Sequence, residues 1–241
     1  MQQNTSRRQF IQKAGALACG TAVLVQPTIA FAQGHAMKKS KQDKIEEVSP
    51  VEDLMREHGV LDRILLIYDE ILWRRLPKNT DFPPEVLANS ADLVRRFIED
   101  YHEKLEEDYL FPRFEKAGKL TELVQVLRTQ HRAGRQLTDS IKHLATLDAI
   151  KSPAEREKLS NALRLFTRMY RPHAAREDTV LFPALRSLVS AHEYAALGEE
   201  FEDKEHALFG KEGFEKIVAE VAELERKLGL DDLAGFSAQF D

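Results

Sequence analysis

Four stretches of this chain place apolar residues at alternating spacings of four and three, and each stretch carries one histidine inside its apolar stripe. The first runs Leu54, His58, Leu61, Leu65, Tyr68, Leu72. The second, from about Pro84, runs Leu87, Ala91, Val94, Ile98, His102, Leu105, Tyr109. The third runs Leu120, Val124, Leu127, His131, Gly134, Thr138, Ile141, Ala145, and the fourth Leu159, Ala162, Phe166, Met169, His173, Glu177, Val180. Such spacing puts every member of a stripe on one face of an α-helix. No run of period-two alternation competes with it. The expected fold is all-α: a four-helix up-down bundle, in which four amphipathic helices hide their stripes together. Ser49-Pro50-Val51-Glu52 and Ser152-Pro153-Ala154-Glu155 mark two helix starts, each a capping box with proline at the first helical position. Past the fourth helix, Phe214, Ile217, Val218, Val221, Leu224 and Leu228 line one face of further helix, followed by a tail from Gly229. That face is expected to cover the outside of the bundle. The bundle is placed at residues 49–190 and the C-terminal helical extension at 191–241.

Composition limits the chemistry. Lys plus Arg number 35 against 40 Asp plus Glu, a net charge of −5, which argues against a nucleic-acid partner. The single cysteine, Cys19, excludes a disulfide framework and a cysteine-based zinc site, so a metal would have to be held by His, Asp and Glu. Residues 1–32 carry Arg7, Arg8 and Lys13 and no acid. An uncharged stretch from Ala14 then ends in Ala30-Phe31-Ala32, a small-x-small cleavage pattern. Ser6-Arg7-Arg8-Gln9-Phe10-Ile11 resembles the twin-arginine export signal of bacteria. Read so, residues 1–32 are a removable signal, the exported chain has no stable membrane insertion, and its location is the periplasm. An uncleaved membrane anchor is the other use such a stretch can have. Residues 33–48 are polar and lysine-rich, a linker in which His35 is solvated.

The carboxylates near the histidines narrow the reading. Glu106 follows His102 by four residues, and Glu177 follows His173 by four. Four residues advance a helix by about 400° and about 6 Å, so each pair stacks on one face. Two carboxylates facing each other in a core would be desolvated and repelling, and a cation between them removes both objections. The chain also repeats itself: His102-x₃-Glu106-x₃-Leu110-Phe111-Pro112 aligns without gaps to His173-x₃-Glu177-x₃-Leu181-Phe182-Pro183. The two halves therefore read as related helical hairpins, each giving two His and one Glu to a shared centre. A structural repeat explains Leu-Phe-Pro but does not require His-x₃-Glu within it. The spacing also differs from the Glu-x-x-His of ferritin-like di-iron proteins.

With these residues in place, residues 49–190 resemble the hemerythrin family, in particular its HHE cation-binding domains. The resemblance implies a four-helix bundle holding two bridged iron ions. His58 and His102 would bind one iron, His131 and His173 the other, and Glu106 and Glu177 would each span both. Oxygen-carrying members of the family place a further histidine one turn after the third-helix ligand, where this chain has Arg135. They also end with an acid five residues after the last histidine, where Asp178 stands and could substitute for Glu177. Without the extra histidine, octahedral coordination with an oxo or hydroxo bridge would leave one open position on each iron, for dioxygen, nitric oxide or peroxide, with Arg135 near one of them. The function implied is binding of such a small ligand in a sensing, storage or redox role. A di-iron oxidoreductase, oxidising ferrous iron or consuming peroxide, is the alternative at the same centre, and a metal-free helical interaction module is a third reading.

Other residues carry two readings each. Asp62, one turn after His58, is either an acceptor orienting an imidazole or a surface acid. Glu103 is a spare ligand or, being off the stripe, a solvated residue. Pro172 either aims His173 or is a tolerated irregularity. Glu202 and His206 are an exposed helical pair or an accessory metal site. Trp73 and Tyr68 either line a ligand pocket or belong to the core, while His143 and His192 are expected at the surface.

Overall fold

The computed structural model describes residues 48–78 and 82–238. The export-signal reading of residues 1–32, with Cys19, and all but the last residue of the expected linker lie outside the described residues. Among those described there is no strand and no helix long and apolar enough to cross a membrane.

Among the described residues, seven helices make up the compact unit that begins at Ser49. Helix α1 is Pro50–Asp69, continued by a π-helical turn, Glu70–Arg75. Helix α2 starts as Pro84–Leu93 and continues through a π-helical stretch Val94–His102, an α-turn Glu103–Leu105, a π-turn Glu106–Leu110 and a last α segment Phe111–Ala117. Helix α3 is Thr121–Leu144, and α4 a short Leu147–Lys151. Helix α5 is Pro153–Arg176, extended by a π-turn Glu177–Leu181 and Phe182–Leu185. Helices α6, Ala191–Phe209, and α7, Gly213–Leu228, follow.

The capping boxes mark the starts of α1 and α5. Ser49 accepts from the Glu52 amide at 3.2 Å and Ser152 from the Glu155 amide at 3.5 Å, with Pro50 and Pro153 in the first turn. Gly118 ends α2 in the left-handed conformation, φ 62°. Leu120, read as the first stripe residue of α3, stands instead before that helix, itself left-handed at φ 53° and half-buried.

Packing closes a ring: α1 lies against α2, α2 against α3, α3 along most of α5, and α5 against α1. The four stripes face into it. Leu54, Ile64, Tyr68, Val86, Val94, Phe97, Val124, Ile141, Leu159 and Phe166 are fully buried. Tyr68 is a core residue, set edge-on to Phe166 with ring centroids 5.3 Å apart, whereas Trp73 is 58% exposed and lines no core. Helix α7 lies on α1 and α2 from outside, and α6 packs on α7 and α1. The face Phe214, Ile217, Val221, Leu224, Leu228 is buried there. Arg63 of α1 fixes it with a two-pronged ion pair to Glu225 of α7, one contact at 3.0 Å.

Candidate metal centre

Each of the four core helices sends one imidazole to the middle of the bundle. His58, His102, His131 and His173 are at most 4% exposed, and Glu106 and Glu177 are fully buried among them. The imidazoles pair as neighbours, His58 with His102 at 4.6 Å between ring centroids and His131 with His173 at 5.0 Å. Glu106 groups with both pairs. Its Oε2 lies 3.9 Å from His102 Nε2 and 3.4 Å from His131 Nε2. Glu177 does the same across the other diagonal, its Oε2 3.4 Å from His58 Nε2 and 3.2 Å from His173 Nε2.

These separations suit shared coordination. Two donor atoms each about 2.1 Å from one ion stand about 3.0 Å apart at a right angle and farther at wider angles. The inward-facing atoms are also left without other partners: all four oxygens of Glu106 and Glu177, and Nε2 of His102 and of His131, accept or donate no hydrogen bond. Buried polar atoms are ordinarily satisfied, so six orphans around one point mark a place for a cation.

The outward nitrogens are held. His58 Nδ1 donates to Asp178 at 2.7 Å, His102 Nδ1 to Glu57 at 2.8 Å, His131 Nδ1 to Glu107 at 3.0 Å and His173 Nδ1 to the Gln130 side-chain oxygen at 2.9 Å. Placing the proton on Nδ1 leaves the Nε2 lone pair free and aims it inward, as metal-binding histidines require. Two phenylalanines complete the walls. Phe111 stacks on His131 and Phe182 on His58, both at 5.5 Å between centroids. These are the phenylalanines of the repeated Leu-Phe-Pro, so that element of the repeat also shapes the centre.

Electrostatics without a cation are conflicted. Burial and the neighbouring Glu177 charge push the Glu106 carboxyl well above its usual range, while the His173 and His58 imidazoles hold Glu177 well below it against the burial penalty. Burial pulls His58 down, but Asp178 and Glu177 outweigh it and raise the ring to about 9. Burial dominates at His131, which is held at about 4.

Several readings of single residues change. Asp62 is exposed and does not orient His58; Asp178 on α5 does, so Asp178 backs a histidine from outside and does not stand in for Glu177. Glu103 is not solvated but 1% exposed, accepting the Tyr170 hydroxyl at 2.7 Å and pairing with Arg135 at 2.8 Å. Arg135 lies on the outer, Nδ1 side of His131, where it also pairs with Glu107 at 2.9 Å. Its guanidinium neutralises two acids there and does not face the centre. Glu57, Glu107 and Gln130 lie off the apolar stripes and periodicity does not single them out, although Glu107 and Asp178 occupy the same place in the repeat, directly after Glu106 and Glu177. His143 and His192 are exposed. Glu202 and His206 remain a one-turn pair 3.9 Å apart, and no third ligand group joins them among the described residues.

A family model, the hemerythrin HHE cation-binding domain, matches residues 49–185. Uncharacterized proteins of Mycobacterium bovis and Mycobacterium tuberculosis are each 51% identical over 190 residues, covering 79% of this chain and 74% of theirs. No solved structure matches. A match across more than half the chain, together with a buried cluster of His and Glu fit for a metal, places this chain in the hemerythrin HHE cation-binding domain family.

Proposed function

We propose that this is an exported, periplasmic non-heme di-iron protein whose centre takes a small inorganic ligand, dioxygen, nitric oxide or peroxide, in a sensing, storage or redox role. The observation that carries the reading is the inward convergence of four imidazole Nε2 atoms on two buried carboxylates that have no hydrogen-bond partner, inside a closed helical ring. Imidazole and carboxylate donors suit iron, and the family resemblance favours it over other divalent ions. Two irons would supply open coordination positions and a change of oxidation state. The chain supplies the rest. His58 and His102 would hold one ion, His131 and His173 the other, and Glu106 and Glu177 would cancel the charge between them. Asp178, Glu57, Glu107 and Gln130 fix the ring orientations, and Phe111 and Phe182 keep water from two of the imidazoles.

Metal analysis of the exported chain, loaded anaerobically with ferrous iron, is expected to give two irons per chain and absorption bands that shift with azide or nitric oxide. A triple variant, His102→Ala, Glu106→Ala and His131→Ala, is expected to lose both. An unchanged spectrum and thermal midpoint in that variant would sink the dinuclear reading and leave a metal-free bundle. Steady turnover of hydrogen peroxide or ferrous iron would move the protein to the oxidoreductase alternative. For export, replacing Arg7 and Arg8 by lysine is expected to remove the protein from the periplasmic fraction.

A further inference from the structure

The two hairpins repeat not only their ligands but the contacts behind them. Asp178, directly after Glu177, backs His58; Glu107, directly after Glu106, backs His131. Glu57, directly before His58, backs His102; Gln130, directly before His131, backs His173. Phe182 on His58 matches Phe111 on His131. Each of these three contacts has its counterpart, and the residue types agree in charge at every place but one, where Glu57 answers to Gln130. Glu57 is fully buried and accepts from His102 Nδ1 at 2.8 Å and from the Tyr101 hydroxyl at 3.1 Å. Gln130 offers a neutral amide oxygen.

A second difference points the same way. Glu107, behind His131, also pairs with Arg135 and Lys104, so its charge is shared among three partners. Asp178, behind His58, has no such cation on it among the ion pairs of the described residues. Gln130 also opens onto a surface groove of about 600 Å³ between α3 and α5, bordered by Leu137, Met169 and Pro172. The hydrogen bond behind His173 is therefore within reach of water, while the one behind His102 is not.

We infer that the two metal positions are unequal: the position between His58 and His102 binds a divalent ion more tightly and fills first, and residues 57 and 130 set the difference. This rests on the dinuclear reading above. A carboxylate behind an imidazole makes the ring a stronger donor than an amide does, and changes in such partners typically alter metal affinity about 10- to 100-fold. Both differences weaken the His131–His173 side.

Anaerobic calorimetric titration of the metal-free chain with ferrous iron tests this. Two phases are expected, separated by about 10- to 100-fold. Gln130→Glu, nearly identical in shape, is expected to tighten the weaker phase about tenfold or more, and Glu57→Gln to weaken the tighter one by a similar factor. His173→Ala should remove the weaker phase and leave the tighter. Circular dichroism checks that each variant folds. The inference is overturned if two ions bind with one constant that neither exchange at 57 nor at 130 changes, or if His173→Ala removes the tighter phase. No binding by the unaltered chain overturns the dinuclear reading itself, a result distinct from two equal sites.

Discussion

Gly134 is chosen by a single side chain across the bundle, Tyr170. A Cβ added there would sit 2.0 Å from the Tyr170 hydroxyl oxygen and 2.8 Å from the ring carbon that bears it. In an ordinary helix interior, alanine would be better than glycine by about 1 kcal/mol. Here Gly134→Ala is expected to destabilise by about 1–3 kcal/mol, the usual range for overpacking a core. Tyr170→Phe on the same background should return part of the loss, measured by urea denaturation. A stabilised Gly134→Ala protein would show that Tyr170 can move without harm. A second residue-scale expectation concerns His58 in the metal-free chain. Its folded value of about 9 lies above the ordinary 6.5, so its pairing with Asp178 and Glu177 contributes stability that is fully present below pH 6.5. That stability is lost as pH rises toward 9. The urea midpoint of the apo chain should fall across this window, and Asp178→Asn should flatten the fall. The candidate ligands are legible in the sequence because His and Glu four apart interrupt an apolar stripe. The partners behind them are not. Glu57, Glu107, Gln130 and Asp178 each sit one residue from a ligand, about 100° off the stripe, where helical periodicity assigns a residue to solvent. They are turned inward by the neighbouring helix, which a single-helix pattern does not contain.

Glu106 and Glu177 each begin a π-helical turn, Glu106–Leu110 and Glu177–Leu181. In each the closing bond runs from a phenylalanine amide back five residues, Phe111 to Glu106 and Phe182 to Glu177. The proline that follows suits the widened turn, while Val94–His102 is π-helical with no proline after it and Pro172 sits within an α segment. The ring of Pro112 or Pro183 collides with the carbonyl four residues earlier in a tight α-helix, and the wider turn relieves it. Leu-Phe-Pro thus acts on the backbone that carries the glutamate. Pro112→Ala or Pro183→Ala is expected to let the helix tighten, leave the metal-free stability equal or higher, and lower metal affinity about tenfold or more. Unchanged affinity would mean that the glutamates are placed without the widened turn. All four core helices follow from the stripes and the two capping boxes. The π-turns do not, since a reading at 100° per residue has no way to register an i to i+5 bond. Glu103 illustrates the cost of that assumption, read at the surface and found buried against Tyr170 and Arg135.

At the scale of the molecule, α7 acts as a wall for α1 and α2, the two helices that carry His58 and His102. Ile217 and Val221 of α7 are 1% exposed or less. Ile217→Ala is expected to cost about 2–5 kcal/mol, as core truncations do, with a matching fall in thermal midpoint. A loss below about 0.5 kcal/mol, the range of surface substitutions, would show that α7 is not part of the cooperative unit. Metal removal is a separate test. Each ion at a free concentration of 100 times its dissociation constant adds about 2.7 kcal/mol to the folded state, so chelation should lower the midpoint and ferrous iron should restore it. The match between the halves has a last consequence. Two identical hairpins associating as separate chains would have the same residue before the first histidine on both sides, and their two metal positions would be equivalent by symmetry. Covalent fusion of the hairpins into one chain is what permits a carboxylate at 57 and an amide at 130, so the inequality between the positions is a property open to a tandem protein and closed to its symmetric dimeric counterpart.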